Sequence, residues 1–185
     1  METDIELLNA ARMMNKDALV KIFDLYSSPL FNYALRLCGD AILADQIVGD
    51  VFAKLLDQLA VGKGPSVHLR SYLYEITYHR ILDKARYSKR RAPLEAAEWP
   101  GRAMPSEFQN LENQMILRQL LKAIQNELTN DQRHVVILRF LEGFSLRETG
   151  AIIGKSEDQV KVIQSRAIAK LRQASQYNGN WSVAS

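Results

Sequence analysis

The stretch LTNDQRHVVILRFLEGFSLRETGAIIGKSEDQVKVIQSRAIAKLR, residues 128–172, decides the fold of this chain. Three times in it, a Ser or Thr is followed three positions later by Glu or Gln and then by an apolar run. The pairs are Thr129 with Gln132, Ser145 with Glu148, and Ser156 with Gln159. In such a capping box the hydroxyl accepts a hydrogen bond from a first-turn amide, and the Glu or Gln accepts one from the amide of the cap residue. Gly143 and Gly154 stand where helices should end. The stretch therefore predicts three consecutive helices.

The second and third of these helices, about 145–153 and 156–172, are separated only by Gly154 and Lys155. This is the sequence form of a helix-turn-helix. On the third helix, one arc should face the core and carries Val160, Ile163, Ala167 and Leu171. The opposite arc mixes small and basic residues: Asp158, Lys161, Val162, Ser165, Arg166 and Ala169. Such an arc can read base edges in the major groove of DNA. The simpler interpretation is a helical hairpin with a solvated basic face.

Outward from this stretch, no part of the chain shows a strand pattern. We expect a helix pair from 5 to 37, broken near 15–16 and again near 28–29. An amphipathic stripe follows at Leu43, Ile47, Val48, Val51, Phe52, Leu55, Leu56 and Leu59. Residues 60–67 hold two glycines and a proline and should form a loop, after which a long helix is expected from about 68 to 89.

The region of residues 92–109 holds three prolines and no periodic pattern, which is typical of an interdomain linker. A further amphipathic stripe begins at Leu117 and ends at Leu128. The predicted fold is thus all-α, with two small helical domains joined by a flexible linker. The expected boundaries are a first domain at 1–91, a linker at 92–110, a second domain at 111–173 and a tail at 174–185.

The net charge of +3 hides an uneven distribution along the chain. Residues 1–60 contain five Lys or Arg and nine Asp or Glu, residues 69–91 contain seven and two, and residues 155–172 contain five and two. An acidic front and two basic segments favour a protein partner for one surface and a polyanion for the others.

The predicted helix at 68–89 is apolar on two sides. Leu69, Leu73 and Ile76 lie on one arc, and Tyr74, Tyr78, Ile81 and Ala85 lie on nearly the opposite one. Cations stand between them at Arg70, Arg80, Lys84 and Arg86. Such a helix is either buried between neighbours or presents some of Tyr72, Tyr74, Tyr78 and His79 as a stacking surface for unpaired bases.

Catalysis has little support in the sequence. His68, His79 and His134 fall on different predicted elements without ligand spacing, and we expect no catalytic residue, no metal and no cofactor. Cys38, the only cysteine, lies in an apolar stretch that favours a buried, inert thiol. No apolar run is long enough to span a bilayer, and no signal peptide pattern is present, so we expect a soluble cytoplasmic protein.

Three segments, in order, resemble the RNA polymerase sigma factors, and the resemblance covers nearly the whole chain. ADQIVGDVFAKLL (44–56) looks like the polymerase-docking helix of that family, and LRSYLYEITYHRILDKARYSKRR (69–91) resembles its promoter-melting helix. Residues 128–172 are similar to its C-terminal domain, which reads the upstream promoter element. The absence of further domains points to the minimal extracytoplasmic-function group.

The resemblance implies roles for particular residues. Asp45, Gln46, Asp50 and Lys54 would dock on the clamp helices of core RNA polymerase. The loop of residues 60–68 would help to hold a flipped-out base of the melted strand. Contacts with the downstream element would come from Lys63, Arg70, Tyr74, Tyr78, His79, Arg80, Lys84 and Arg86. The upstream element would be bound by Arg147, Lys155, Asp158, Lys161, Val162, Ser165, Arg166 and Lys170.

The partners implied are therefore core RNA polymerase, promoter DNA in double-stranded and melted form, and an anti-sigma factor, with no small-molecule substrate. Five positions depart from the usual pattern of the family. Gly49 stands where the docking helix normally carries a polar residue, Tyr72 replaces the common tryptophan, and His79 replaces an asparagine often found in the melting helix. Thr149 and Gly150 are smaller than the usual core residues of the first helix of the helix-turn-helix. A stand-alone transcription regulator remains an alternative for residues 128–172, but it leaves residues 43–91 without a role. An enzyme is disfavoured because the histidines lack ligand spacing and no glycine-rich phosphate loop follows a strand. A pure interaction scaffold would have no use for the two basic segments.

Overall fold

The computed structural model describes residues 4–88 and 111–177 of the chain, with side chains for residues 5–84 and 119–174. The chain divides into two compact units, Met1–Arg102 (unit 1) and Ala103–Ser185 (unit 2). The helices of unit 1 are α1 (Asp4–Arg12), α2 (Lys16–Cys38), α3 (Ala41–Ala60) and α4 (Leu69–Ser88). Those of unit 2 are α5 (Leu111–Glu127), α6 (Asn130–Val136), a π-helical turn (Ile137–Leu141), α7 (Leu146–Ile153) and α8 (Glu157–Tyr177).

The described residues form helices joined by turns and loops and contain no strand, which confirms the predicted fold class. The helix expected to end near residue 172 continues to Tyr177. The predicted linker at 92–110 and residues 178–185 of the predicted tail lie outside the described residues, so the domain boundaries stay predictions.

The break between α1 and α2 is confirmed, and the second expected break is not. Asn15 caps α2, because its side-chain oxygen accepts a hydrogen bond from the amide of Ala18 at 3.0 Å. The prediction of a break near residues 28–29 is wrong, since α2 continues through Pro29. Proline costs about 3 kcal/mol inside a helix. The next two residues, Leu30 and Phe31, are 0% and 6% exposed, and burying such side chains contributes about 2 kcal/mol each, which offsets that cost.

The core of unit 1 lies between α2, α3 and α4. Tyr33 of α2 and Tyr74 of α4 are fully buried there, with ring centroids 5.1 Å apart. Asp40 fixes the start of α3 by accepting hydrogen bonds from the amides of Ile42 and Leu43, at 2.9 and 3.0 Å. The predicted stripe on α3 forms the inward face through Ile47, Val48, Val51, Leu55 and Leu59.

All three predicted capping boxes of unit 2 are present. The cap amides of Thr129, Ser145 and Ser156 donate to Gln132, Glu148 and Gln159 at 3.1, 2.8 and 2.9 Å. The return bonds from the third-residue amides to the cap hydroxyls measure 3.5, 3.1 and 3.2 Å. These bonds set the first turns of α6, α7 and α8, as the sequence predicts.

The turn between α7 and α8 depends on Gly150. The amide of Lys155 donates to the carbonyl oxygen of Gly150 at 2.9 Å, and Gly154 adopts a left-handed φ of 68°. A Cβ atom added at Gly150 would lie 2.5 Å from the carbonyl oxygen of Lys155. The backbone of the turn therefore approaches α7 too closely for any side chain, which explains the small residue at this position.

A π-helical turn at Ile137–Leu141 follows α6, and the sequence patterns did not predict it. From this turn, Arg139 donates through Nε to the side-chain oxygen of Gln164 on α8, at 3.0 Å. A second nitrogen of Arg139 donates to the carbonyl oxygen of Phe144, just before α7. One guanidinium thus joins the π-helical turn, the start of α7 and the middle of α8.

His134 lies in the core of unit 2, where only 2% of it is exposed. Burial lowers the pKa of His134 from 6.5 to about 4, because desolvation disfavours the charged imidazolium. The charge of Asp131 acts in the opposite direction but is the smaller influence. His134 is therefore a neutral core residue at neutral pH.

Candidate nucleic-acid interfaces

The outward arc of α8 is more exposed than its predicted core arc. Of that core arc, Val160 and Ala167 are fully buried and Ile163 and Leu171 are half-buried, while Val162 on the outward arc is 48% exposed. The other residues of the predicted reading arc are also exposed: Asp158, Lys161, Ser165, Arg166 and Ala169. Lys170 and Arg147 are exposed as well. One face of α8 therefore carries cations, a hydroxyl and small apolar groups to solvent, which is the chemistry that base edges and phosphates require.

Two lysines of this region already have carboxylate partners. Lys161 lies 3.3 Å from Asp158 and 3.5 Å from Glu157, and both contacts come from the first turn of its own helix. The hydrogen bond to Asp158, followed by the charge of Glu157, raises the pKa of Lys161. Lys155, in the turn, lies 3.0 Å from Asp131 of α6. DNA phosphates would have to replace these carboxylates.

Tyr74 and Tyr78 of α4 face inward, against the prediction that they contact DNA. The side chain of Tyr74 is 0% exposed and that of Tyr78 is 7% exposed, so neither offers an open ring face for stacking. Tyr74 instead packs against Tyr33 and beneath Arg70, whose guanidinium carbon lies 5.6 Å from the ring centroid. Both apolar arcs of α4 contain buried residues, at Leu69, Leu73, Tyr74, Tyr78 and Ile81, so burial between neighbouring helices explains them.

Polar residues of α4 remain accessible around these tyrosines. His79 is exposed and meets the Tyr78 ring edge to face, with centroids 5.3 Å apart. Arg70, Arg80 and Lys84 are half-buried. Tyr72 is also half-buried, and burial followed by the charge of Glu75 raises the pKa of its hydroxyl. The predicted site residue Arg86 lies on α4, but its side chain falls outside the described residues.

The loop predicted at 60–67 is present as residues 61–68 between α3 and α4, and it has an unusual backbone. Gly62, Gly64 and His68 have positive φ angles of 69°, 111° and 56°. For His68 this left-handed conformation is uncommon, because its Cβ opposes it. The predicted site residue Lys63 is exposed in this loop.

The predicted docking face of α3 lies opposite the core stripe. Asp45, Gln46 and Lys54 are exposed and Asp50 is half-buried. Beside Gly49, an added Cβ would meet nothing within 4 Å. This arrangement leaves the polar face open over several turns of the helix.

The sequence patterns missed an apolar patch beside that face. Phe23 of α2 is 49% exposed and packs against Phe52 of α3, with ring centroids 4.8 Å apart. Leu56, one turn further along α3, is 40% exposed. Phe52 and Leu56 were predicted as part of the core stripe, but they lie at its margin. An excess of apolar residues over what one buried face can hold was the signal available in the sequence.

A metal site, a membrane-spanning helix and a reactive thiol all lack support in the described part of the chain. Residues 4–88 and 111–177 contain no group of three or more His, Cys, Asp or Glu placed to hold a metal ion. Within the same ranges, none of the helices combines the length and the apolar character that a membrane crossing requires. The thiol of Cys38 donates to the carbonyl oxygen of Asp40 at 3.4 Å, and burial raises its pKa, so the reactive thiolate is disfavoured.

Comparison with known families assigns both units. Residues 22–91 match Sigma-70 region 2, and residues 126–173 match Sigma-70, region 4. The ECF RNA polymerase sigma factor BldN of Streptomyces coelicolor is 27% identical over 90% of this chain, and the match spans 64% of BldN. The ECF RNA polymerase sigma factor SigX of Bacillus subtilis is 27% identical, with 82% of this chain and 80% of SigX covered.

Solved structures share the fold. A structure of CnrH in complex with the cytosolic domain of CnrY has a TM-score of 0.72 at 20% identity, with 95% of this chain and 99% of that chain covered. The sigma factor RpoE of Bartonella quintana, solved in complex with the anti-sigma factor NepR, has a TM-score of 0.68 at 23% identity, with 84% and 95% covered. The two region matches, in this order along the chain, show that it belongs to the extracytoplasmic-function group of the sigma-70 family of RNA polymerase sigma factors.

Proposed function

We propose that this sigma factor divides its work between its two units, with unit 1 docking on polymerase and opening the promoter while unit 2 reads the upstream element. Family membership gives the general function: a sigma factor binds core RNA polymerase and directs it to promoters. The observation that carries the assignment to residues is the outward arc of α8, exposed from Asp158 to Ala169 and distinct from the buried arc.

Unit 2 reads the upstream element with α8 in the major groove. Lys161 and Arg166 contact guanine edges or phosphates, Val162 contacts thymine methyl groups, and Ser165 contributes a hydroxyl. Arg147, Lys155, Lys170 and Asp158 complete the predicted set, with the cations holding phosphates and the carboxylate positioned to accept from a cytosine amino group.

Unit 1 docks on the polymerase clamp helices with the polar face of α3 and the adjoining patch of Phe23, Phe52 and Leu56. Exposed aromatic pairs within a polar rim are typical of protein interfaces, because burying them on binding contributes most of the affinity. Asp45, Gln46, Asp50 and Lys54 form part of that rim and supply electrostatic selectivity. The acidic balance of residues 1–60 supports a partner with cations around its apolar contacts.

The downstream element contacts the loop of residues 61–68 and the accessible part of α4. The loop holds a base that has left the stack, and Lys63, Arg70, Arg80 and Lys84 bind the strand backbone. His79, with Tyr78 behind it, offers the remaining aromatic edge. Tyr74 has a different role from the one predicted, since its buried ring supports Arg70 by a cation–π contact.

The protein acts by binding and positioning, without catalysis of its own and without a cofactor, in the cytoplasm where polymerase works. An anti-sigma factor is a further proposed partner, since solved structures with the same fold are complexes of that kind.

A run-off transcription assay on a pooled promoter library, with and without the protein, tests this function. Core polymerase supplemented with the full chain should produce transcripts from discrete start sites. If no transcript appears and core polymerase fails to bind the chain, the sigma assignment of function is wrong and a stand-alone regulator becomes the better explanation.

Charge reversal separates docking from DNA reading. Asp50→Lys should weaken polymerase binding while leaving DNA binding by the free chain unchanged, because Asp50 and α8 belong to different units. Asp17→Lys, an equal charge change at an exposed position of α2, is the control and should bind polymerase as the wild type does. Equal losses in both variants would mean that overall charge, and not the α3 face, governs docking.

A further inference from the structure

We propose that Arg12, at the end of α1, is a positioning residue that holds the loop of residues 61–68 in the conformation that captures a base of the melted strand. The proposal rests on the proposed role of that loop. Arg12 lies 53 residues before Pro65 of the loop in sequence, and no role was predicted for it.

The first half of the loop is fixed by its own backbone. The amide of Gly62 donates to the carbonyl oxygen of Leu59 at 3.0 Å, and the amide of Lys63 donates to that of Gln58 at 2.8 Å. These bonds continue the end of α3, so residues 61–63 follow that helix.

The second half has a different support. Among the described residues, one side-chain hydrogen bond reaches the loop: Nη1 of Arg12 donates to the carbonyl oxygen of Pro65 at 3.1 Å. Beyond it, His68 has a φ of 56°, a left-handed conformation that residues with a side chain adopt uncommonly. The hydrogen bond from α1 therefore reaches the loop between the part that follows α3 and His68, the left-handed residue just before α4.

The backbone around Arg12 is fixed by hydrogen bonds and by burial of its neighbour. The turn after α1 is closed by bonds from the amides of Met13 and Asn15 to the carbonyl oxygen of Ala10, at 3.1 and 3.2 Å. The neighbouring residue Ala11 is fully buried. A guanidinium anchored on such a turn restricts the carbonyl group that it binds, whereas a lysine at the same place would offer a single, more mobile ammonium group.

Because Arg12 is exposed, its hydrogen bond adds little to the stability of unit 1. The hydrogen bond of Arg12 acts on the loop instead. Because it fixes the loop backbone before DNA binds, the entropy cost of ordering the loop is not paid when the base is captured. Loss of Arg12 should therefore weaken the recognition of the captured base and leave the fold, polymerase docking and upstream reading unchanged.

The experiment uses holoenzyme assembled from core polymerase and the full chain. The probe is a single-stranded DNA oligonucleotide carrying the downstream element of a promoter found by run-off transcription, intact or with one base at a time removed. For each position, the dissociation constant of the oligonucleotide that lacks the base is divided by that of the intact oligonucleotide, and this ratio measures recognition of the base. Arg12→Met removes the donor and keeps an unbranched stem, Lys16→Met removes a nearby exposed cation, and Arg12→Lys restores one donor.

At the captured position, Arg12→Met should reduce that ratio by about two- to tenfold, the range expected for one hydrogen bond, and Arg12→Lys should recover part of it. Lys16→Met should leave the ratio unchanged. Hydrogen exchange of the peptide containing residues 61–68 should become faster in Arg12→Met but not in Lys16→Met. This measurement tests the hydrogen bond between Arg12 and Pro65 in the absence of DNA.

An unchanged ratio in Arg12→Met, with clear base recognition by the wild type, would overturn the proposal. An equal loss in Lys16→Met would also overturn it, since general charge would then explain the effect. If the wild type recognises no base in the single strand, the proposed role of the loop is wrong, and Arg12 loses its role with it.

Discussion

Acidification should destabilise unit 2 through His134 at pH values where carboxylates are still ionised. The imidazole is 2% exposed, and its pKa is lowered from 6.5 to about 4 in the folded chain. In the unfolded chain the same imidazole takes up a proton near its ordinary pKa. The unfolded state therefore binds more protons between these two values, and stability must fall as the pH falls.

The size of the effect follows from the two pKa values of His134. Each pH unit between them corresponds to about 1.4 kcal/mol, so the full interval from 6.5 to about 4 amounts to about 3 kcal/mol. Above pH 6.5 His134 is neutral in both the folded and the unfolded chain, so the full contribution of about 3 kcal/mol to stability is present. Lowering the pH from about 7 to about 5 should remove about 2 kcal/mol of it.

Hydrogen exchange of peptides from α6 and α8 in the full chain measures this loss for unit 2 by itself. The rates at the two pH values are corrected for intrinsic exchange and compared with those of His134→Gln. The variant should lose about 2 kcal/mol less on acidification, whatever its absolute stability. His79→Gln, which changes an exposed imidazole, should behave as the wild type does.

Proton NMR provides a direct check on the same imidazole. The ring signal that disappears in His134→Gln should titrate near pH 4 in the wild type. Titration of that signal between about pH 6 and 7 in a folded protein, or equal pH slopes in the wild type and His134→Gln, would refute the reasoning.

Three further predictions concern the helix-turn-helix. Gly150→Ala should destabilise unit 2 by about 1–3 kcal/mol, measured by the same exchange method, because the new methyl group collides with the backbone of Lys155. No loss of stability would mean that the turn shifts without cost. Replacing Glu157 and Asp158 together by Gln and Asn should strengthen binding to duplex DNA of any sequence in a fluorescence anisotropy titration, because Lys161 is released and phosphate repulsion falls. Unchanged affinity at low salt would contradict this. Lys161→Gln should reduce the slope of log K against log salt by about one if Lys161 binds a phosphate. An unchanged slope would leave Lys161 without a phosphate contact.

The helix starts of unit 2 were predictable because their causes are local. Each capping box places its donors and acceptors within four residues, so Thr129, Ser145 and Ser156 specify their bonds whatever the rest of the chain does. The ion pair between Lys155 and Asp131 has no such signature, since the fold alone brings together residues so far apart in sequence. The π-helical turn at Ile137–Leu141 was missed for a related reason, because its residues have the composition of an ordinary helix.

In unit 1 the difficulty was to decide which side of a helix is buried. Tyr74 lies on a helix that is apolar on two arcs, and periodicity alone does not distinguish a stacking surface from a ring in the core. Phe52 and Leu56 were predicted as core because the stripe on α3 contains more apolar residues than its neighbours can cover. At Pro29 the rule that proline ends a helix failed, since the burial of the neighbouring side chains stabilises the helix around it. The docking face of α3 and the reading arc of α8 are accessible in the structure, as expected from the sequence. The assignment of their residues to polymerase and to DNA stays a prediction.

The separation of inward and outward residues on α8 has a consequence for how such proteins diverge. Val160 and Ala167 maintain the core, while Lys161, Val162 and Arg166 contribute nothing to it. Ser156 and Arg139, which form hydrogen bonds that help to hold α8 in place, do not belong to the reading arc. After a gene duplication, one copy could therefore change its outward side chains and acquire a new set of target genes while its fold and its attachment to polymerase stayed intact.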